Sequence, residues 1–497
     1  MGAELVDLRP VLAPVVSALC AALVMLVGYR PRWRAGLTLA APVLKFAVVW
    51  SMLPGALAGT TYRYAFGEIL PGLAFAFRVD ALGLFFALVS STLWIAATVY
   101  ALAYMRGKPG QQRFFGFFAL CVSTTVGIAF AENLMTLFVF YELLTVCTYP
   151  LLMHDGGLRA RRAGRRYLVY TLSGGAAILA GMLLVWHHAG TMSLAETGIL
   201  GAVDDRSLLL TIFVLFATGF AVKAAVMPLH AWLPAAMVAP VPVSALLHAV
   251  AVVKAGAFGL LRLIYNVFGV ELMRELGYAS VLAIIAGATI LLASLVALRQ
   301  QRLKALLAWS TISQLSYIVL AACLLTPAAA LAAIIHLANQ AFAKITLFFA
   351  AGAIERATGK TRLDELDGIG RRMPLVMGAF TVACLSFIGV PLFAGFITKW
   401  YLSLGALQAG AGGFVALLAL SALLNALYWL PVVFRAFFRP ADRTHSLRPV
   451  SWLMRLPIVV CAAYVILLGV GAEAPAMPFV LAKSAVRFAF GMQGVAP

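Results

Sequence analysis

Fourteen long apolar stretches divide this chain, and nothing else in the sequence limits its fold so severely. They run near 10–28, 35–57, 80–105, 113–131, 134–153, 167–189, 207–233, 241–267, 277–298, 304–325, 328–354, 373–403, 411–437 and 453–472. A helix crossing a bilayer needs about 20 mostly apolar residues, so the stretches predict an all-α polytopic membrane protein of about 14 transmembrane helices. Only 11% of the residues are charged, against roughly 25% in a soluble domain, which excludes a water-soluble globule.

The formal charge of +19 invites a nucleic-acid partner, but the placement of the 37 lysines and arginines argues against one. Loops after odd-numbered stretches hold 24 of them, including Arg159, Arg161, Arg162, Arg165 and Arg166, and Arg435, Arg439, Arg443 and Arg448; the opposite side holds seven. Such asymmetry is the topology signal of positive-inside loops. It predicts both termini outside, in a bacterial cytoplasmic (inner) membrane, and a surface that meets anionic lipid. The six cysteines are scattered through apolar stretches without a C-x-x-C pair, and read as small buried hydrophobes rather than disulfides or metal ligands. The acidic start (Glu4, Asp7) predicts a retained first helix rather than a signal peptide. No haem, P-loop or dinucleotide motif occurs, so neither a cofactor nor a metal is expected.

Six basic residues fall within or at the edge of apolar stretches: Lys45, Lys223, Lys254, Arg262, Lys344 and Lys399. Lys45 and Arg262, near the ends, are expected to snorkel to an interface. The other four, with Glu142 in FYELLTVCTYP, would cost on the order of 13 to 17 kcal/mol if left unpaired at mid-membrane. Intramembrane ionisable groups generally mark an ion or proton path, and one acid cannot neutralise four bases. Burial disfavours the protonated amine and a nearby carboxylate favours it, so a moving Glu142 would make a lysine bind or release its proton.

Two stretches contain helix breakers. Pro228 and Pro234 follow Lys223 in AVKAAVMPLHAWLPAAM, and Gly389, Pro391 and Gly395 precede Lys399 in SFIGVPLFAGFITKWYL. Proline removes a donor and clashes one turn back, which predicts two broken helices. The breaks are five spans apart, and an odd offset reverses orientation, so two inverted five-helix repeats are expected. The corresponding organisation is residues 1–110 for helices 1 to 3, 111–270 for the first repeat, 271–440 for the second, and 441–497 for helix 14 and the tail. His248 lies six residues before Lys254, and His336 eight before Lys344 on about the same helical face; either imidazole can relay a proton. His230 lies between the two prolines as a gate or a cap. His154, His187, His188 and His445 are expected to be solvated.

The strings FVFYELLTVCTYPLL, FAVKAAVMPLHAWLPAAMVAPVPVSALLHAVAVVKAGAFGLLR, LKALLAWSTISQLSYI, IIHLANQAFAKITLFFAAGAI and GVPLFAGFITKW resemble the antiporter-like subunits shared by respiratory complex I, membrane-bound hydrogenases and Mrp-type sodium/proton antiporters. The resemblance spans about residues 75–435. It implies Glu142 as the acid of an ion pair with Lys223, Lys254 as the connecting lysine, Lys344 in a second half-channel and Lys399 as the terminal site. A lysine rather than an acid at 399, and a chain that stops about 25 residues after the last stretch, resemble the D-type subunit of Mrp antiporters. The departures are Ala235 and Arg302 where many relatives have acids, and Gln340 where many have a second histidine.

The reading that follows is a proton-translocating subunit of a multisubunit cation/proton antiporter, working among other membrane subunits, with protons as cargo and Na+ as the candidate counter-ion. The enzymatic alternative is the proton-pumping subunit of a NADH-quinone oxidoreductase or membrane-bound hydrogenase. Any redox centre would then lie on another polypeptide. A third reading is a scaffold with vestigial charges.

Overall fold

The computed structural model describes residues 4–70, 73–195, 197–440, 448–474 and 478–492. Arg443 and His445 lie outside the described residues. The chain opens with strand β1 (Glu4–Val6), helices α1 (Arg9–Val27) and α2 (Pro31–Trp50), a short α3 (Leu53–Leu57), strands β2 (Thr61–Leu70) and β3 (Leu73–Val79), and α4 (Ala81–Tyr104). There follow α5 (Gln111–Ala129), α6 (Leu134–Leu152), α7 (Gly157–Ala189), α8 (Arg206–Ala224), α9 (Trp232–Ala235), α10 (Val241–Ala249) and α11 (Val252–Arg262). The remainder is α12 (Val270–Leu276), α13 (Tyr278–Leu298), α14 (Leu303–Cys323), α15 (Pro327–Thr358), α16 (Ile369–Arg372), α17 (Pro374–Ile388), α18 (Ala394–Gln408), α19 (Gly413–Phe438), α20 (Trp452–Val470) and α21 (Pro478–Ala489).

Among the described residues, 13 helices are long and apolar enough to cross a bilayer. The remaining predicted stretch, 373–403, is divided into α17 and α18, so all fourteen stretches are helical where expected. Helices on the outside of the bundle present leucines outward, as Leu172 and Leu183 on α7 and Leu423, Leu427 and Leu430 on α19 do. That is the surface a hydrocarbon solvent requires. At the centre, α15 is buried over its apolar length and packs against α10, α14, α17, α18 and α20.

Four features differ from the sequence reading. Residues before α4 form a three-stranded sheet, β1 parallel to β2 and β2 antiparallel to β3. Its signal is the alternation of Tyr62, Tyr64 and Phe66 and of Phe75 and Phe77, the period of a strand rather than a helix.

A third interruption, beyond the two predicted, separates α10 from α11 at Val250 and Ala251. Both Val250 and Ala251 donate their amides to the Leu246 carbonyl, at 3.0 Å each. No proline or glycine marks the place.

Lys45 and Arg262 do not snorkel. Lys45 is fully buried beneath α4, its ammonium 4.3 Å from the centroid of the Trp94 ring, and Arg262 is buried in an ion pair with Asp80. Each finds a closer partner on α4, or at its start, than the interface offers.

His154 is half-buried rather than solvated, edge-on to Phe114 at 5.3 Å. Burial holds its imidazole below the ordinary histidine range. His187 and His188 are exposed, as expected.

Candidate functional site

The first break places its lysine. Lys223 is the penultimate residue of α8 and is fully buried. After α8 the chain turns through Ala225 in the left-handed region (φ 55°), and residues 225–231 form no regular helix before α9. Glycines let the surrounding helices approach backbone to backbone. A Cβ on Gly256 of α11 would lie 2.3 Å from the Ala224 amide, and one on Gly219 of α8 would lie 2.6 Å from the Gly174 carbonyl of α7.

The Lys223 ammonium donates to the backbone carbonyl of Tyr141 on α6, and lies 3.3 Å from the centroid of that tyrosine's ring. Glu142 is the next residue on α6. Its carboxylate turns toward α7, where a Cβ on Gly175 would sit 2.4 Å from Oε1. Among the described residues Oε1 has no hydrogen-bond partner, and no salt bridge joins Glu142 to Lys223. The expected direct ion pair is therefore open, because consecutive helix residues point about 100° apart and Tyr141 holds the amine.

Lys254 on α11 is 1% exposed and its Nζ meets no hydrogen-bond partner among the described residues. His248 stands on α10, across the interruption at Val250. It is fully buried, with both ring nitrogens unpartnered and its ring 4.8 Å from that of Phe348. On α15, His336, Gln340 and Lys344 recur every four residues and so share one face. Gln340 donates to the His248 carbonyl at 3.4 Å. The Lys344 ammonium donates to the Ser310 hydroxyl and to the Leu307 carbonyl (3.3 Å), and lies 4.7 Å from the Phe387 ring centroid.

The second predicted break separates α17 from α18. Lys399 on α18 reaches back across it and donates to the last carbonyls of α17, Phe387 at 2.9 Å and Ile388 at 2.6 Å, where a helix carries partial negative charge. Gly389 sits at φ 93°, and a Cβ there would lie 2.7 Å from Lys399 Cδ; both conformation and space require glycine. His336 Nδ1 meets the Thr398 hydroxyl at 3.2 Å, and Asn339 donates to the same hydroxyl at 2.8 Å.

The structure therefore groups the predicted residues into a first cluster of Glu142 and Lys223, and a chain through His248, Lys254, His336, Lys344 and Lys399 centred on α15. Sequence reasoning missed Tyr141, Ser310 and Thr398, which receive or flank the amines. It also missed a network in which Tyr317 donates to Ser421 (2.8 Å) and Gln314 to Asn425 (3.3 Å). A signal existed: Ser310, Gln314 and Tyr317 follow one another at spacings of four and three in LKALLAWSTISQLSYI, a polar stripe on an otherwise apolar helix. No cluster of three or more metal-ligating side chains occurs among the described residues.

Comparison with known proteins bears on this geometry. The family model described as NADH:quinone oxidoreductase/Mrp antiporter, TM matches residues 131–425, an interval that contains every predicted site residue. A second model, NADH-Ubiquinone oxidoreductase (complex I), chain 5 N-terminus, matches residues 72–115. NADH-quinone oxidoreductase subunit N of Desulforudis audaxviator is 33% identical over 83% of this chain and 85% of its own length. A probable K(+)/H(+) antiporter subunit of Rhizobium meliloti is 33% identical over 74% of this chain, which spans 36% of that longer protein. Among solved structures, a chain of the Mrp complex from Dietzia sp. DQ12-45-1b superposes with a TM-score of 0.89 at 23% identity, covering 98% of each chain. A chain of the membrane-bound sulfane sulfur reductase, an archaeal respiratory membrane complex, superposes at 0.86 and 23% identity over 97% of this chain and 98% of its own. The last two similarities are of fold.

Proposed function

The chain belongs to the NADH:quinone oxidoreductase/Mrp antiporter transmembrane family, and from that premise we propose that it is a proton-translocating, antiporter-like subunit of a multisubunit membrane complex. Protons pass along Glu142, Lys223, Lys254, Lys344 and Lys399, with His248 and His336 as relays. Packed helices lie about 8 to 10 Å apart, too far for direct transfer between side chains, so water completes the row. The helices α5 to α11 and α13 to α19 form the two inverted repeats. The arginine-rich loops face the cytoplasm and both termini face outward, across the inner membrane.

One observation carries this reading. Among the described residues, none of Lys223, Lys254, Lys344 and Lys399 is joined to a carboxylate by a salt bridge, and those with partners hold carbonyls, a hydroxyl or an aromatic ring. A structural staple would look like the Arg262–Asp80 pair, closed at 2.5 Å. Amines not fixed by an acid can gain and lose protons, and for Lys223 the position of Glu142 sets which.

Lys399 favours the role of the D-type Mrp antiporter subunit, while similarity to an oxidoreductase subunit over most of both chains supports the alternative of a redox-driven pump. The composition of the purified complex separates the two. The transport reading is tested by proton flux in vesicles at equal membrane abundance: Glu142→Gln should lower flux on the order of a hundredfold while the complex still assembles, and wild-type flux in that variant would refute it.

A further inference from the structure

On the arginine-poor face a cavity of about 180 Å³ opens between β3, the start of α4, the end of α11 and α21, lined by Arg78, Asp80, Arg262, Tyr265, Asn266 and Ser484 among others. Its floor is Arg262, whose side chain is 3% exposed. The guanidinium donates to the two oxygens of Asp80 at 2.5 and 2.8 Å, and to Asn266 at 3.2 Å. Asp80 is itself fixed, accepting the Gly83 amide at 2.7 Å as the N-cap of α4.

Three buried polar atoms around this cavity, Arg78 Nε, Arg262 Nε and the Tyr265 hydroxyl, have no protein partner among the described residues. Buried polar groups are nearly always hydrogen-bonded, and a cavity of this size, lined by such groups, has room for several waters. Beyond Arg262 the backbone passes into a π-helical turn, Leu263–Phe268, which supplies Tyr265 and Asn266 to the lining; such turns concentrate at functional sites.

The cavity lies near the proton row. Lys254 stands eight residues before Arg262 on α11, about 12 Å along the helix. Between them stands Phe258, stacked on Phe86 with centroids 4.9 Å apart and lying 5.0 Å from the Arg262 guanidinium carbon. One pair of rings thus separates a lysine without a partner from a polar cavity at the surface.

We propose that this cavity is the port through which the row exchanges protons with the arginine-poor side, Lys254 being the member that it serves and Phe86 with Phe258 the dry barrier between them. The inference rests on the transport reading above and adds the place where that transport meets solvent. Arg262 and Asp80 are positioning residues: their closed pair keeps the mouth polar and open.

The test uses the full chain with its native partner subunits in membrane vesicles. Ser484, half-buried at the rim on α21, is replaced by cysteine, and a membrane-impermeant trimethylammonium methanethiosulfonate is added to one face at a time. The six native cysteines are buried, so the wild type serves as the reagent control. Labelling of Ser484→Cys from the arginine-poor face, with proton flux falling about tenfold relative to the same vesicles before labelling, is expected of a plugged port. Complete labelling with unchanged flux, labelling only from the arginine-rich face, or no labelling from either face would each overturn the port. Should Ser484→Cys by itself stop flux, Thr60→Cys, at another lining position, carries the same measurement. If Glu142→Gln loses flux while labelled Ser484→Cys keeps it, only the port falls; if Glu142→Gln keeps its flux, the transport reading falls.

Discussion

The two halves of the proton row hold their lysines by different means. Beside Lys223 there is an acid, Glu142, while the buried threonines of α6 and α7, Thr145, Thr148 and Thr171, turn their hydroxyls back to carbonyls of their own helices. Around Lys344 and Lys399 there is no intramembrane acid, but Ser310, Gln314, Tyr317, His336, Asn339, Thr398, Ser421 and Asn425 are all buried. A full charge acts over several ångströms in a low dielectric, so displacing one carboxylate switches the first half. Neutral dipoles act only at contact, so on the proposed transport reading the second half passes protons through hydroxyls, amides, imidazole and water. On that proposed reading the first half works as a switch and the second as a conduit.

Three experiments can break that contrast. Glu142→Gln keeps the shape and removes the charge, and should lower proton flux on the order of a hundredfold, the range of a lost acid–base group; a loss of only a few-fold, read as flux per assembled complex, would reduce the acid to one dipole among many. Gly175→Ala places a methyl within 2.4 Å of Glu142 Oε1 and must push the carboxylate aside. It should cost flux about tenfold, by analogy with misplacement of a catalytic group, and flux in the variant should recover when Glu142 is shortened to aspartate.

In the conduit, Ser310→Ala removes one acceptor from Lys344. At about 1 kcal/mol per hydrogen bond the flux should fall only about fivefold, since neighbours share the task; a hundredfold loss would show that this half too hangs on a single group. The smallest effect lies outside the membrane, at the turn between α6 and α7. Burial holds His154 below the ordinary histidine range, so its contribution to stability is complete above about pH 6.5 and is lost as pH falls through the folded value. The protection of the amides in residues 153–156, taken relative to their intrinsic exchange rate at each pH, should fall on acidification from about pH 7 to 5, and should become insensitive to pH in His154→Leu.

The sequence displays what is costly and hides what is cheap. Lys223, Lys254, Lys344, Lys399 and Glu142 stand out because a charge in an apolar stretch is expensive, and the breaks beside Pro228 and Gly389 because those residues cannot continue a helix. Tyr141, Ser310 and Thr398 escape notice because a hydroxyl or backbone carbonyl in a membrane helix costs little. The interruption at Val250 and Ala251 escapes because valine and alanine carry no turn signal. Arg262 is misread because Asp80, its partner, is 182 residues away, and Lys45 because its cover, Trp94, belongs to another helix. Helix positions are local and legible, whereas burial is a property of neighbours.

The central claim is that the row's lysines carry protons instead of fastening helices, and replacing each of Lys223, Lys254, Lys344 and Lys399 by methionine, in turn, separates the two. Methionine fills a similar volume without charge, and replacing buried charge by apolar groups is often neutral or stabilising. With proton flux and thermal stability measured on the same assembled complexes, the account predicts that flux is lost in each variant while Tm holds or rises. Flux that persists while Tm falls would show the lysines to be fasteners and contradict the account.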